Sequence, residues 1–414
     1  MISIDIIQRK MNLLIVANDL SKGGIQTALM NLLKEISKDK RYNIDLFIFS
    51  DNSNTINEVP KNVKIIKGNY FLKLSSTAFK DIIKTRNIIK IAIRIMLMIL
   101  VRIIKSDKYY KMIFALNRNE KEYDYAISYF NDIPNSYFNR GATDYVLDFA
   151  RAAKKVGWIH TDIEKAKFDI KYYEKKYERF DYIINVSEHC RNTYNRLLPK
   201  QAKKTRVIYN FFPIDEIYKK SKEEQNIIKK NKKYLNLITV ARIDNISKRI
   251  DRVINVANKL VEKKKDKFHW YIIGDGPNFL EMKEKIKKNK LEKNVVMLGM
   301  IENPYPYIKA SDVFVLTSDF EGYPMVIGES LILNTPVVVT NYDSASEQIE
   351  NGYNGFIVGM REDEILSKLE EILEDPLIIG KLENNIKNRK LTNDVAKSQF
   401  EKIFGGTDEK KVFR

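Results

Sequence analysis

Apolar residues gather along the chain in short runs bounded by polar turns, and amphipathic stretches with apolar residues three or four apart lie between the runs. In the first half the runs 13–17, 44–49, 63–66, 125–129, 156–159 and 182–186 read as strands, and 25–36 reads as a helix. Such alternation argues for a parallel sheet with helices on both faces. Val207-Ile-Tyr-Asn210 closes this series, and Pro213 with the polar run 219–233 marks a connection. The runs 235–240, 270–273, 295–298, 313–316 and 337–339 then repeat the pattern. The expected fold class is α/β, with two Rossmann-like domains whose parallel sheets face a cleft and ligand at the C-terminal ends of the strands. Expected boundaries are 1–210, a connection at 211–234, 235–391, and a terminal helix or tail at 392–414 packing back on the first domain.

One helical stretch is distinctive. Between residues 80 and 105, Lys80, Lys84, Lys90, Arg94, Arg102 and Lys105 fall on one arc of a helical wheel; Ile88, Ile89, Ala92, Ile95, Met96, Ile99, Leu100 and Ile103 fill the other side. Its uncharged run 95–101 is far short of the ~20 residues that span a bilayer. Two readings stay open. The helix lies on an anionic membrane, with Lys84, Lys90, Arg94 and Arg102 at the headgroups and the apolar side in the interface. Alternatively, the apolar side packs on the sheet and the basic side is wet.

Length and charge narrow the classes. A chain of 414 residues exceeds one ordinary core, and 44% hydrophobic with 30% charged residues is a soluble globular composition. The net charge of +18 is uneven, since the segment 61–118 holds fourteen Lys or Arg against Asp81 and Asp107. Basicity alone suggests nucleic acid, but the segment carries no recognition motif of that kind. The single cysteine, Cys190, excludes an intramolecular disulfide and a Cys-rich zinc site, which fits a reducing cytoplasm. The run 11–17 precedes a glycine turn and lacks a small-residue cleavage site, so it reads as a first strand; residues 1–10 are expected to be an extra leader or a misassigned start.

The chemistry concentrates at Asp319-Phe-Glu-Gly-Tyr-Pro-Met-Val-Ile-Gly-Glu329, which follows a buried strand. With Pro324 as first helical residue and Asn334 as the stop, Glu321 precedes a helix and Glu329 sits more than one turn inside it. The free amides and dipole of such a helix start suit an anionic diphosphate, leaving both carboxylates to accept hydrogen bonds from sugar hydroxyls. Read blandly, Glu321 is a first-turn charge and Glu329 a helix-surface one. Arg242 and Lys248 bracket a loop after another strand, either as cations for a departing nucleoside diphosphate or as two solvated charges among 72 Lys and Arg. Asp275, in Gly274-Asp-Gly-Pro277, reads as a turn former capping the next helix. Gly23-Gly24 lets backbone amides approach a phosphate, or is a plain strand-to-helix turn. His160 ends a strand on the expected cleft side, whereas His189 and His269 read as incidental. No D-x-D pair occurs, so Arg242, Lys248 and the helix start must supply the positive field, and no metal is expected.

These motifs, in this order, resemble those of the retaining family-4 glycosyltransferases (glycosyltransferases group 1), which share the GT-B fold. The likeness runs from about residue 11 to about 391, is strongest in the C-terminal half, and rests on the E-x7-E spacing, the Arg242 and Lys248 pair, the GDGP turn and the Lys22-Gly23-Gly24 loop. It departs at Gln26, where the family often carries Glu. The resemblance implies that Gly24 contacts the donor phosphate, that Arg242 and Lys248 hold the diphosphate, and that Glu321 binds the donor sugar and Glu329 the ribose. It implies that Gly299 meets the base through its backbone, that Gly274, Gly322, Tyr323, Pro324 and Met325 line the donor pocket, and that His160 lies close to the transferred sugar. It implies a nucleotide-sugar donor, UDP-sugar favoured over GDP-sugar, no cofactor, and no nucleic-acid partner. The Trp158-Ile-His160 block with Tyr172-Tyr-Glu-Lys-Lys-Tyr177 and Val186-Ser-Glu188 is similar to bacterial capsule, exopolysaccharide or teichoic-acid enzymes. That likeness implies a lipid-linked or anionic glycan acceptor at the inner membrane face. A nucleotide-sugar epimerase and a non-catalytic partner subunit of another glycosyltransferase remain the alternatives.

Overall fold

Every strand pairing within the two sheets is parallel, and each sheet belongs to one of two units, Met1–Phe211 with Gln399–Arg414 and Phe212–Ser398. This computed structural model describes residues 9–21, 23–51, 54–117, 120–132, 138, 141–224, 227–229 and 233–405. Residues 1–8 of the expected leader, Lys22, residues 225–226 and 230–232 of the expected connection, and 406–414 of the expected tail lie outside that set.

In the first unit the strands are β1 (Met11–Ala17), β2 (Tyr42–Ile48), β3 (Lys64–Lys67), β4 (Glu122–Ser128), β5 (Arg151–Ile159), β6 (Tyr182–Asn185) and β7 (Thr205–Val207). They lie in the order β3-β2-β1-β4-β5-β6-β7. Strand β1 is central because Leu13, Leu14, Ile15, Val16 and Ala17 leave no polar face, and Leu13 aligns with Ile44 on one side and Tyr125 on the other. Helix α1 (Gly24–Ile36) follows it. The helix Asp394–Phe404 enters this unit from Gln399 onward: Phe400 meets the Tyr42 ring edge-on at 5.6 Å, Phe404 meets Tyr125 at 4.9 Å, and the Tyr125 hydroxyl donates to the Ile403 carbonyl at 2.8 Å.

The second unit contains β8 (Leu235–Val240), β9 (Phe268–Ile273), β10 (Val295–Gly299), β11 (Val313–Leu316), β12 (Val337–Thr340) and β13 (Gly355–Val358), in the order β10-β9-β8-β11-β12-β13. Its core packs Leu237, Val253, Leu260, Trp270, Val313, Val338 and Leu369, and the Trp270 indole N–H is satisfied by the Thr239 hydroxyl at 3.0 Å. Strand β13 was not expected from sequence, because Phe356 and Ile357 at this sheet edge are only half-buried and the run is four residues long. In both sheets the strand order reverses beside the first strand, between β1 and β4 and between β8 and β11. Loops diverge at that point and leave room for ligand above the C-terminal strand ends.

The expected helix at 80–105 is corrected in two ways. Its connection from β3 to β4 is built from α2 (Tyr70–Ser76), α3 (Phe79–Lys84), α4 (Ile88–Ile104) and α5 (Ser106–Ala115), with breaks where Arg86 and Lys105 adopt positive φ of 53° and 66°. Of the two orientations left open for α4, the structure turns Arg94, Leu97 and Val101 inward and leaves Ile88, Ile89, Ile95, Met96, Ile99 and Ile103 exposed. The Arg94 guanidinium therefore leaves the basic arc and lies over the Phe138 ring at 4.2 Å, and burial lowers its pKa. The apolar side does not pack on the sheet.

Candidate active site

The site residues of the second unit sit on two loops that leave adjacent strands. Arg242 and Lys248 follow β8, Glu321 follows β11, and β8 pairs with β11 through Val313 and Leu237. The sequence of the first loop bends it back on itself. The buried carboxylate of Asp244 accepts the backbone N–H groups of Ile246, Ser247 and Lys248 at 3.1, 2.6 and 3.2 Å, and the Arg242 Nε at 2.9 Å. Burial alone raises the Asp244 pKa, but the Ser247 amide and Arg242 outweigh it, so the carboxyl titrates at about 2. Asp244 thus fixes both cations, a role that sequence reading missed although an Asp two residues before Ile246 and three before Ser247 is an Asx-turn signal.

Further bonds clamp the two loops together. The Thr317 hydroxyl donates to the carbonyls of Lys248 and Arg249 at 3.1 and 3.0 Å, and the Asp319 N–H donates to the Ser247 carbonyl at 2.8 Å. Asp319 also pairs with Arg249 at 3.2 Å and Arg252 at 2.5 Å. In this frame Lys248 Nζ donates to Glu321 Oε1 at 2.5 Å, and the Ser318 hydroxyl donates to the same oxygen at 2.6 Å. Arg242 stays two-thirds exposed, its guanidinium available to an anion.

The helix Met325–Ile332 begins one residue later than expected, because Pro324 is extended, at ψ 122°, and serves as the cap residue. No side chain caps its first turn, so its leading amides point to ligand or solvent. Asn334 marks its end with φ of 61°, the left-handed conformation that asparagine tolerates. Glu329 is not a surface residue. It is buried, and burial pushes its carboxyl up to about 7, with the Tyr305 hydroxyl donating at 3.3 Å as the opposing influence. Tyr305, from the short helix Tyr305–Ala310, was not picked out in the sequence and had no motif to reveal it.

Glycine is required where the second-unit loops crowd. Gly274 has φ of 142°, and a Cβ there would stand 1.9 Å from the Ala241 carbonyl oxygen, so this strand end can approach the Arg242 loop only without a side chain. Its N–H donates to the Gly299 carbonyl at 2.8 Å, which joins the ends of β9 and β10. Gly299 itself has φ of 71° and open space around it. Asp275 does not cap the next helix: its carboxylate accepts the Gly276 N–H at 2.7 Å, and that helix starts only at Phe279. Gly322, Tyr323, Pro324 and Met325 form the turn into the helix, with Pro324 and Gly322 buried and Tyr323 half-buried.

The remaining expected residues lie in the first unit. Gly24 is the first residue of α1, with nothing within 4 Å of a would-be Cβ, and no side chain caps that helix. His160 follows β5, its ring parallel to Trp158 and 4.6 Å from Tyr129. Its Nε2–H donates to the Tyr129 carbonyl at 2.9 Å, and burial holds its pKa down at about 3, so the ring is neutral with Nδ1 unprotonated. His189 is less incidental than expected, since its Nε2 lies 2.7 Å from the buried Asp162 carboxylate. His269 meets the Lys293 carbonyl at 3.1 Å and stacks on the Tyr234 ring at 4.7 Å.

Residues 220–392 match the family described as Glycosyl transferases group 1. The chain is 29% identical over 212 residues to the poly(ribitol-phosphate) alpha-N-acetylglucosaminyltransferase of Staphylococcus aureus, covering 50% of this chain and 41% of that protein. It is 28% identical over 197 residues to a diphospho-undecaprenol 4-alpha-N-acetylgalactosaminyltransferase of Campylobacter jejuni, covering 47% and 51%. The chain spans about half the length of the curated relatives it matches. Its fold is similar along nearly its whole length to Anabaena HepE, solved with UDP and glucose, with TM-score 0.66, 17% identity, and coverage of 96% of this chain and 100% of that one. Residues 220–392 thus match the Glycosyl transferases group 1 family, on a chain with the GT-B fold.

Proposed function

We propose that this protein is a retaining glycosyltransferase that moves a sugar from a nucleotide diphosphate donor, UDP-sugar in preference to GDP-sugar, to an acceptor hydroxyl. The observation that carries this reading is the contact of Lys248 with Glu321 across two loops that also present Arg242, beside an uncapped helix start and the buried Glu329. Arg242, Lys248 and the helix amides meet the charge that develops on the departing diphosphate, where cations stabilise the transition state more than the ground state. Glu321 accepts from donor-sugar hydroxyls and Glu329 from the ribose, while Gly274, Gly299, Gly322, Tyr323, Pro324 and Met325 shape the pocket. Gly24 gives its amide to the donor phosphate. His160, neutral at physiological pH, serves by hydrogen bonding through Nδ1 and not as a cationic acid.

UDP is favoured because HepE was solved with it, and the named acceptors of the relatives point to surface glycans. The acceptor is a lipid-linked or anionic glycan at the inner membrane face, as part of bacterial surface polysaccharide synthesis. With the diphosphate charge met by side chains and amides, the reaction needs no metal. A nucleotide-release assay with UDP-, GDP- and ADP-sugars in EDTA tests this. Turnover of one donor that disappears in both Glu321→Ala and Lys248→Ala is expected; absence of donor binding by calorimetry would overturn the reading.

A further inference from the structure

Helix α4 displays its aliphatic residues outward. Ile88 is 82% exposed and Ile103 is 73% exposed, with Ile89, Ile95, Met96 and Ile99 between them. Ile88, Ile95, Ile99 and Ile103 follow one another at spacings of seven, four and four, which aligns them as a ridge on one side of a helix of 17 residues, about 25 Å long. Soluble surfaces rarely carry so continuous an apolar strip, because exposing it forfeits the free energy of burial. The inward side of α4 is already occupied by Arg94, Leu97 and Val101, which leaves the ridge without a partner among the described residues.

The charges around the ridge identify what covers it. Lys80, Lys84, Arg86, Arg102, Lys105, Lys108 and Lys111 stand exposed on α3 to α5 and the turns between them, against Asp81 and Asp107 alone. An aliphatic strip rimmed by cations is complementary to an anionic lipid surface, where the strip enters the acyl boundary and the cations stay at the headgroups. The helix cannot cross the bilayer, since no described helix is long and apolar enough. We infer that α4 lies in the plane of an anionic membrane with Ile88, Ile95, Ile99 and Ile103 inserted, and that Arg94 holds the helix to the protein instead of touching lipid. This deepens the membrane-face reading proposed above, and it can be read without any donor or acceptor.

The test is flotation of the full chain with phosphatidylglycerol-containing vesicles and with pure phosphatidylcholine vesicles. Wild type is compared with Ile95→Ser/Ile99→Ser, and donor turnover in solution and circular dichroism report that the variant is folded. Binding to anionic vesicles should fall roughly tenfold or more in the variant, and raised salt should weaken wild-type binding without abolishing it. A second variant, Met96→Trp, places a fluorophore on the ridge, while the native Trp158 and Trp270 are buried. Its emission should shift to the blue with anionic vesicles and be quenched by brominated acyl chains. Equal vesicle binding by wild type and the serine variant would overturn the inference. So would a concentration-dependent blue shift of Met96→Trp without vesicles, which would assign the ridge to a second copy of the chain. Loss of vesicle binding with intact donor turnover separates this inference from the catalytic reading.

Discussion

Lys248 and Glu321 are 73 positions apart in the chain and 2.5 Å apart in space, so each holds the other in place before any donor arrives. Their side chains are 23% and 9% exposed, and in that partly dry setting the pair competes with ligand for the same hydrogen bonds. On the function proposed above, donor binding exchanges this internal contact for a phosphate on Lys248 and hydroxyls on Glu321. Lys248→Met should lower kcat/KM for the donor by about 10²- to 10³-fold. The Lys248→Met/Glu321→Gln double variant should lose less than the product of the single losses, because the two groups act as one unit. A double-mutant cycle in the nucleotide-release assay checks both numbers, and full additivity would contradict the pairing.

Burial raises the Glu329 carboxyl to about 7 from an ordinary value of 4.5. A raised folded-state pKa contributes stability that is present below about pH 4.5 and is lost as pH rises through about 7. Glu329→Gln removes this loss, so thermal melts at pH 8 should show a higher Tm for the variant than for wild type, with the difference closing towards pH 5. If Glu329 accepts from the ribose as proposed, the same variant should bind donor more weakly at pH 8, since a neutral amide replaces a carboxylate acceptor.

Tyr305 keeps that carboxyl from rising further by donating to it. In Tyr305→Phe, donor affinity should improve with pH along a curve displaced to more alkaline values, with KM raised severalfold and kcat nearly unchanged. Titration calorimetry across pH 6 to 9 would detect the displacement, and superimposable curves would remove Tyr305 from the site.

His160 titrates at about 3 in the fold, below its ordinary 6.5. The unfolded chain then binds the extra proton first, so stability falls as pH drops from about 6.5 towards 3. His160→Asn should flatten this part of the stability profile in urea melts at pH 7 and pH 5. A titration of the His160 ring near pH 6.5 in NMR spectra would contradict the buried neutral assignment.

Gly274→Ala forces a side chain onto the Ala241 carbonyl at a φ of 142°. Strain of that kind costs on the order of 1–3 kcal/mol, which for a unit of this size corresponds to a Tm loss of roughly 2–12 °C. Differential scanning calorimetry should show the loss in the transition that donor binding stabilises.

Much of this was legible because buried parallel strands have no polar face. Residues 313–316 are apolar without interruption and 235–240 are broken only by Asn236 and Thr239, and both strands run between those positions. The placement of the glutamates, the cations and the glycine turn after strand ends was legible from the apolar runs that precede them, while their roles rested on the family resemblance. Other features escaped for physical reasons. Strand β13 is short and half-buried, Tyr305 enters through a contact that no periodicity encodes, and Asp244 acts on backbone amides of its own loop. The orientation of α4 stayed open because a helical wheel gives two faces without saying which is inside, and Arg94, expected on the exposed basic arc, instead lies over Phe138.

The Asp394–Phe404 helix has a consequence for the order of events on the ribosome. Tyr42 and Tyr125 precede the rings that cover them, Phe400 and Phe404, by 358 and 279 positions. The first unit must therefore wait, with part of its aromatic core open, while all of Phe212–Ser398 is synthesised and released. A premature stop after residue 392 would leave the second unit with its strands intact and strand the first unit as an unfinished intermediate.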